Sequence, residues 1–357
     1  MTKKSIFSLA ALLVFLGILI LGLSACGAGG NLSMLNNQKF KTNTHEIGEA
    51  FDTISIKSGT ADISLLPSED DTCRVVCFET ARLRHEVTVE DGTHTVKVVD
   101  TRKWYHHINF SLESPKLTVY LPKSEYAALT INESTGGVSL ASDFCFESID
   151  VTASTGDISI LSSAENTLRV KTSTGSISLS GLSAAFVDLR ASTGGVSVES
   201  ISCTNALKIK TSTGSIRAKD LSVGAMELSA STGKITSASV VCAGDMSIRV
   251  DTGKTYLADV ICKNLTSSGD TGDISLTSVV AKEKISIERD TGDVKLDASD
   301  AAELCIVTDT GDIKGTLLSE KIFFYKTDTG DVSLPKTTSG GICDITTDTG
   351  DISIEIK

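Results

Sequence analysis

The chain has few prolines, few aromatic residues and no excess of basic charge. Its 357 residues include four prolines and one tryptophan, and only 5% of them are aromatic. Lysine and arginine number 33 against 45 acidic residues, which gives a formal net charge of −12. Because nucleic-acid-binding proteins need a basic face, this class is excluded. The same charge disfavours a surface that binds anionic lipid, and it is typical of an exposed, soluble surface.

Glycine, in contrast, is abundant and regularly placed. Of the 29 glycines, twelve end the tripeptide Ser-Thr-Gly or Asp-Thr-Gly, and successive copies are 19 or 20 residues apart. These glycines are Gly136, Gly156, Gly175, Gly194, Gly214, Gly233, Gly253, Gly272, Gly292, Gly311, Gly330 and Gly350. A repeat this short and regular predicts a solenoid, in which each unit is one coil stacked on its neighbours.

Each repeat places apolar residues at the same distances from its glycine. In the repeat of Gly175 they are Leu168 and Val170 before the glycine, and Ile177 and Leu179 after it. A spacing of two on both sides of a turn predicts two strands that face one core. The Ser or Asp of the tripeptide is expected to accept backbone N–H groups while glycine takes a positive φ. We therefore predict an all-β, right-handed parallel β-solenoid of about 12 coils, roughly 58 Å long.

The N-terminus predicts a membrane anchor over residues 1–26. Two lysines precede an uncharged apolar run at residues 6–25, and Cys26 follows it. The anchor is either an uncleaved signal-anchor helix or a lipoprotein signal whose Cys26 becomes lipidated. Both alternatives tether the chain to the cell membrane and place residues 27–357 outside the cytoplasm.

Three further segments follow the anchor. Their predicted bounds are residues 27–44 for a linker, 45–127 for an N-terminal β cap and 128–357 for the repeat solenoid. Solenoids need a cap at an open end. Its predicted strands lie at residues 73–78, 86–89, 93–99 and 116–121.

Two short sequences within the cap are informative. Glu90-Asp91-Gly92 has the residue types of a hairpin turn. His106 and His107 are neighbours in a segment with Trp104 and Tyr105, and adjacent residues of a strand point to opposite faces. We therefore favour packing or a loop over metal binding for this pair.

The cysteines after Cys26 follow the repeat and do not form a disulfide pattern. Cys145, Cys203, Cys242 and Cys262 each lie nine residues after a repeat glycine. They should therefore share one column, where a thiol serves as a small apolar group. Only Cys242 and Cys262 fall on adjacent coils, and a bridge between stacked parallel strands would be strained. We predict mostly free thiols.

Aspartates form two columns in the second half of the repeats. Asp-Thr-Gly is also the catalytic tripeptide of aspartic proteases, but six consecutive copies, preceded by six with Ser, indicate turn chemistry. Two facing rows of carboxylates are either solvated turn residues or a calcium site. The candidate calcium ligands are Asp270, Asp273, Asp290, Asp293, Asp309, Asp312, Asp328 and Asp331. No other cofactor and no catalytic residue is indicated.

The coils resemble a known bacterial family. The sequences VTASTGDI at residues 151–158 and ITTDTGDI at residues 345–352 are similar to the β-strand-repeat "putative adhesin" domain of unknown function. FDTISI at 51–56, LLPSE at 65–69 and LTVYLPK at 117–123 are similar to its N-terminal part. The resemblance covers about residues 40–357. It implies a membrane-anchored extracytoplasmic β-solenoid with no established catalysis.

Three functions follow as hypotheses. The first is a non-catalytic cell-envelope scaffold or adhesin that binds a protein or glycan. The second is an envelope-stress or signalling accessory that acts through the cap. The third, a carbohydrate-active β-helix enzyme, is disfavoured because no coil breaks the pattern to gather Arg, Lys and Asp on one face. The last coil, at residues 351–357, is also expected to leave an open edge for self-association.

Overall fold

A computed structural model describes residues 40–102 and 114–357, and all regular structure in this part of the chain is β. Its 27 strands form one hydrogen-bonded system. The strands are β1 Lys41–Ile47, β2 Thr53–Lys57, β3 Asp62–Pro67, β4 Cys73–Glu79, β5 Leu83–Glu90, β6 Thr93–Asp100, β7 Lys116–Leu121, β8 Glu125–Thr135, β9 Val138–Leu140, β10 Cys145–Thr155, β11 Ile158–Ile160, β12 Ser163–Thr174, β13 Ile177–Ser180, β14 Ser183–Thr193, β15 Val196–Thr213, β16 Ile216–Thr232, β17 Ile235–Cys242, β18 Asp245–Thr252, β19 Thr255–Thr271, β20 Ile274–Thr291, β21 Val294–Ser299, β22 Glu303–Thr310, β23 Ile313–Leu317, β24 Lys321–Thr329, β25 Val332–Ser333, β26 Gly341–Thr349 and β27 Ile352–Ile356.

No helix within the described residues is long and apolar enough to cross a membrane. The predicted anchor at residues 1–26, with Cys26, lies outside the described residues, as do Trp104, Tyr105, His106 and His107.

The predicted β-solenoid is confirmed, because strands of successive repeats pair in parallel with matching positions aligned. Leu168 of β12, for example, lies beside Ile149 of β10 and Val187 of β14. All three side chains are buried. Eleven steps separate the twelve repeat glycines, in keeping with a solenoid of about 11 turns. The right-handed winding of the solenoid stays a prediction.

The coils that follow Gly156 through Gly292 have a third inward-facing segment besides the two predicted strands. In the repeat of Gly194 the chain turns sharply at Ser200, whose φ is 56°. Ile201 and Cys203 then point into the core with 2% and 1% exposure. Most later coils repeat this corner with Asp, Ser or Ala at the same position. The column predicted for cysteines is thus a third wall of the core.

The repeat glycines are required by the closeness of neighbouring coils. Gly214 has a φ of 156°, and a Cβ there would lie 2.0 Å from the carbonyl oxygen of Gly194. Gly194 N–H in turn donates to the carbonyl of Thr213 at 2.9 Å. Since no side chain fits between two backbones in this contact, the turn position admits only glycine.

The order of the last two coils differs from the order of the sequence. β26 lies between β22 and β24, and β27 pairs with β23 on one side and with β25 on the other. The coil of Gly350 is therefore inserted between those of Gly311 and Gly330. The prediction that residues 351–357 form the open edge is wrong, because the coil of Gly330 is the outermost one.

A buried ion pair ties this outer coil to the stack. Lys321 Nζ lies 2.6 Å from Asp300 Oδ1, and both side chains are largely buried, at 2% and 13% exposure. The lysine chain passes over Gly341, where an added Cβ would lie 3.5 Å from Lys321 Cδ and 2.1 Å from the Ala302 carbonyl oxygen. Lys321 thus reaches across the inserted coil, which has no side chain at this point.

The N-terminal end is closed by antiparallel strands. β2 and β3 form a coil that is covered by β6 and β7, and these outer strands pair with β5 and β4. β1 adds to the other side of β4, so Lys41–Ile47 is strand and the predicted linker at residues 27–44 extends too far. Glu90 lies opposite Thr93 across Asp91 and Gly92, as the predicted hairpin turn requires.

Replacing a stacked glycine should be far more damaging than replacing an unstacked one. Gly214→Ala forces a Cβ against the Gly194 carbonyl and should lower the free energy of unfolding by at least about 3 kcal/mol. Gly181→Ala is the matched control, because Gly181 also has a positive φ, 65°, but no atom within 4 Å of the added Cβ. It should cost about 1–2 kcal/mol. Equal urea midpoints for the two variants would contradict the close-contact account.

Candidate functional site

The aspartates that follow the repeat glycines form a hydrogen-bonded ladder between coils. Asp293 Oδ1 accepts the backbone N–H of Asp312 at 3.1 Å. Asp312 Oδ1 accepts the backbone N–H of Asp351 at 2.9 Å. Asp351 Oδ1 accepts the backbone N–H of Asp331 at 3.0 Å. Asp157 does the same for Ser176 at 2.7 Å. The role of backbone acceptor, predicted for the Ser or Asp of the tripeptide, therefore belongs to the residue after the glycine.

Lysines balance part of this ladder. Lys254 Nζ lies 2.8 Å from Asp273, and its hydrogen bond lowers the pKa of that carboxyl group. Lys314 Nζ lies 2.6 Å from Asp312 and lowers its pKa in the same way. The ladder thus has structural partners of its own, both backbone and lysine.

The two predicted calcium columns are partly rearranged. Asp328 and Asp331 are not next to Asp309 and Asp312, because the coil of Gly350 separates them. The aspartates within the tripeptides, at positions 270, 290, 309 and 328, are exposed. The aspartates that follow the glycines, at positions 273, 293 and 312, are half-buried. Calcium binding by these columns stays a prediction.

The eight described cysteines are free. Cys203, Cys242 and Cys262 are buried in the predicted column, while Cys145 is only half-buried. Burial raises the pKa of the Cys262 thiol to about 12. These thiols are therefore uncharged members of the core, as the column pattern predicts.

A buried arginine interrupts the core of the later coils. Arg289 is 2% exposed, and its guanidinium donates to Ser267 Oγ and to the Glu288 carbonyl, both at 2.8 Å. Ser267 and Gly269 of the preceding coil provide the space for this side chain. A Cβ added to Gly269 would lie 3.5 Å from Arg289 Nη1. Desolvation lowers the pKa of Arg289 to about 10. The arginine fills a gap that two small residues leave.

An acidic cleft of about 200 Å³ lies beside the first coils. The described part of the chain lines it with four carboxylates, Asp52, Glu125, Glu147 and Glu165, and with no basic side chain. Glu147 is engaged by Asn166 Nδ2 at 3.1 Å. The cleft therefore concentrates negative charge beside the first coils.

A buried trio of different chemistry lies in the N-terminal cap. Cys77, Glu79 and His85 place one potential ligand atom each within 4.8 Å of one another, and they are the one such group of three among the described residues. Their exposures are 0%, 3% and 5%. Cys77 and Glu79 share one face of β4, being two residues apart. His85 belongs to β5, which returns beside them.

Hydrogen bonds fix two members of this trio. Glu79 Oε2 accepts the backbone N–H of His85 at 2.6 Å and lies 3.0 Å from His85 Nδ1. Glu79 Oε1 accepts Asn43 Nδ2 at 2.7 Å. His85 Nε2 is buried, and it has no hydrogen-bond partner among residues 40–102 and 114–357. Sequence reasoning missed this group, although a glutamate at an inward position of β4 is a signal that could have revealed it.

The outermost coil exposes apolar side chains at its free edge. Phe324, Tyr325 and Ile322 of β24 are 56%, 58% and 40% exposed, and Ile342 of the neighbouring β26 is 48% exposed. Tyr325 aligns with Ile345, a fully buried core residue of the neighbouring coil. The core therefore ends at this coil without a covering strand in the described part of the chain.

One buried carboxyl group should make stability depend on pH. Glu133 is 4% exposed, and desolvation raises its pKa to about 7. Since the unfolded value is about 4.3, the stabilisation is full below pH 4, and about 3–4 kcal/mol of it is lost as the pH rises from 4 through 7. Glu133→Gln should be more stable than the unmodified chain at pH 8 but not at pH 4, as measured by urea unfolding. The exposed Glu125→Gln is the control, and an advantage for Glu133→Gln that did not change with pH would contradict the assignment.

Comparison with solved structures finds similar chains of low sequence identity. A "putative adhesin" from Bacteroides fragilis NCTC 9343 is 15% identical with a TM-score of 0.30, over 89% of this chain and 98% of that one. A "putative adhesin" from Parabacteroides distasonis ATCC 8503 is 11% identical with a TM-score of 0.36, over the same shares. A "putative lipid binding protein" from Parabacteroides distasonis ATCC 8503 is 16% identical with a TM-score of 0.32, over 88% and 97%. These TM-scores carry no functional argument.

A protein family matches the chain, whereas no individual curated protein does. No curated protein matches the chain. The Toastrack family, DUF4097, matches residues 51–252 and 238–357, which together span most of the cap and all twelve repeats. The resemblance seen in the repeats is thereby confirmed, and the chain belongs to the Toastrack DUF4097 family.

Proposed function

We propose that this chain is a non-catalytic scaffold of the cell envelope whose free solenoid end binds a second copy of itself. Residues 1–26 anchor it to the membrane, and residues 27–357 are extracytoplasmic. The cap and the outermost coil lie at opposite ends of the stack, so the binding end is the one that the antiparallel strands leave open. The exposed edge of β24 is the observation that carries this proposal.

The edge offers both hydrogen-bonding groups and apolar surface. β24 pairs with β26 on one side, and no described strand pairs with its other side. On that side, the backbone N–H and C=O groups of every second residue can form hydrogen bonds with a further strand. Phe324, Tyr325 and Ile322 supply an apolar surface beside these groups, since each is at least 40% exposed. Strand addition with side-chain anchoring is a common mode of protein recognition.

Charge complementarity favours a second copy as the partner. Lys326 and Asp328 flank Thr327 on the free strand, and both are more than 60% exposed. If two copies pair antiparallel about a two-fold axis at Thr327, Lys326 of each faces Asp328 of the other. The 3.3 Å pair within one chain is then exchanged for two pairs between chains. Contacts of this kind between anchored rods would join neighbouring molecules or facing cells.

Substitution at the free edge should weaken self-association. We expect the full chain in detergent to show a dimer whose fraction rises with concentration in sedimentation velocity, and Phe324→Asp to weaken it at least tenfold. Phe186→Asp is the control, because Phe186 is 49% exposed but lies in the middle of the stack. Loss of the dimer in both variants, or its persistence in Phe324→Asp, would contradict the proposal.

A charge exchange tests the pairing itself. Lys326→Asp places like charges opposite each other and should weaken the dimer, whereas Lys326→Asp combined with Asp328→Lys should restore it. A chain that stays monomeric at all concentrations, or that binds an immobilised glycan through Phe324 without dimerising, would overturn the proposal in favour of a different partner.

A further inference from the structure

We infer that Cys77, Glu79 and His85 form a binding site for one zinc ion in the N-terminal cap. The site is independent of the proposed self-association, because it lies at the opposite end of the stack from β24. Its three donor atoms lie within 4.8 Å of one another, close enough to reach one ion.

The donor types select the metal. A thiolate sulfur, an imidazole nitrogen and a carboxylate oxygen are the three ligand types that Zn²⁺ takes in proteins. Calcium and magnesium take oxygen ligands, so this set does not suit them. Copper(I) prefers sulfur ligands, and only one of the three donors is sulfur. Zinc is therefore the divalent ion that the trio fits best.

Burial makes the charge balance important. All three side chains are at most 5% exposed, where an uncompensated charge is costly. A Cys77 thiolate and a Glu79 carboxylate carry two negative charges, which Zn²⁺ neutralises while His85 remains neutral. Binding requires Cys77 to release its thiol proton to solvent as the zinc–sulfur bond forms. The filled site has no net charge.

The surroundings of the trio resemble those of metal ligands. The Asn43 amide and the His85 backbone N–H hold the two oxygens of Glu79. Such hydrogen bonds from outside the ligand set orient metal-binding carboxylates. His85 Nε2 is buried, and no described residue gives it a hydrogen-bond partner. A buried ring nitrogen without a donor or acceptor is unusual, and an ion bound at Nε2, with Nδ1 remaining 3.0 Å from Glu79 Oε2, would satisfy it.

The strongest test uses cobalt as a spectroscopic substitute for zinc. The untagged full chain, stripped with a chelator, should bind one Co²⁺ per molecule and develop a thiolate-to-cobalt charge-transfer band. Added Zn²⁺ should displace the cobalt and raise the melting temperature. Cys77→Ser should abolish the band, and His85→Gln should weaken cobalt binding at least tenfold.

Cys73→Ser is the matched control. Cys73 lies on the same face of β4, is 4% exposed, and has its thiol pKa raised to about 12 by burial, as Cys77 has. This variant should keep the band and the stoichiometry. The site is disproved if the unmodified chain binds no cobalt at 100 μM, on the order of a weak site, or if Cys77→Ser retains the band. Equal loss in Cys73→Ser and Cys77→Ser would disprove it too, because the effect would then be a general disturbance of the cap.

Discussion

Backbone contact between glycines of neighbouring coils is the constraint on which the rest of this structure depends. A Cβ on Gly253 would lie 1.9 Å from the Gly233 carbonyl oxygen, and the other stacked glycines are similar. With the turns held this close, the strands on both sides fall into register, and like side chains stack on like. The spacing can be 19 or 20 residues, because an extra residue is absorbed where the register shifts, as opposite Phe146 and Ser148, and the glycines stay in one column. The hydrophobic core fills the space that the glycine column defines.

Polar groups at the turns serve the same geometry. Asp293 and its equivalents accept a backbone N–H of the next coil, which would otherwise have no partner at the turn. Thr211 Oγ1, which is fully buried, donates to the carbonyl of Gly194 at 3.1 Å. The aspartates that follow the repeat glycines thus have a structural role of their own in backbone pairing. In the cap, by contrast, Cys77, Glu79 and His85 lie outside the repeats, so the repeat pattern does not explain why they are close together.

The repeat allowed the coils, the core positions and the turn glycines to be predicted from sequence, because each depends on local spacing. The order of the last coils could not be predicted in this way. The coils of Gly330 and Gly350 have nearly the same pattern, so either could stack on that of Gly311. In the structure, the coil of Gly350 lies next to that of Gly311, and Lys321 reaches past Gly341 to pair with Asp300. These contacts join residues that are distant in the sequence. The trio of Cys77, Glu79 and His85 likewise depends on how β5 returns beside β4.

The inserted coil has a consequence for how the chain is assembled. Residues 341–356 come later in the sequence than residues 321–333, yet they lie between those residues and the rest of the stack. A chain that emerges with its N-terminus first can add its other repeats one after another. At the last step it must leave a gap one coil wide, or displace a coil already in place, until the later residues arrive. Completion of this end therefore waits for residues that are synthesised after the coil that covers them.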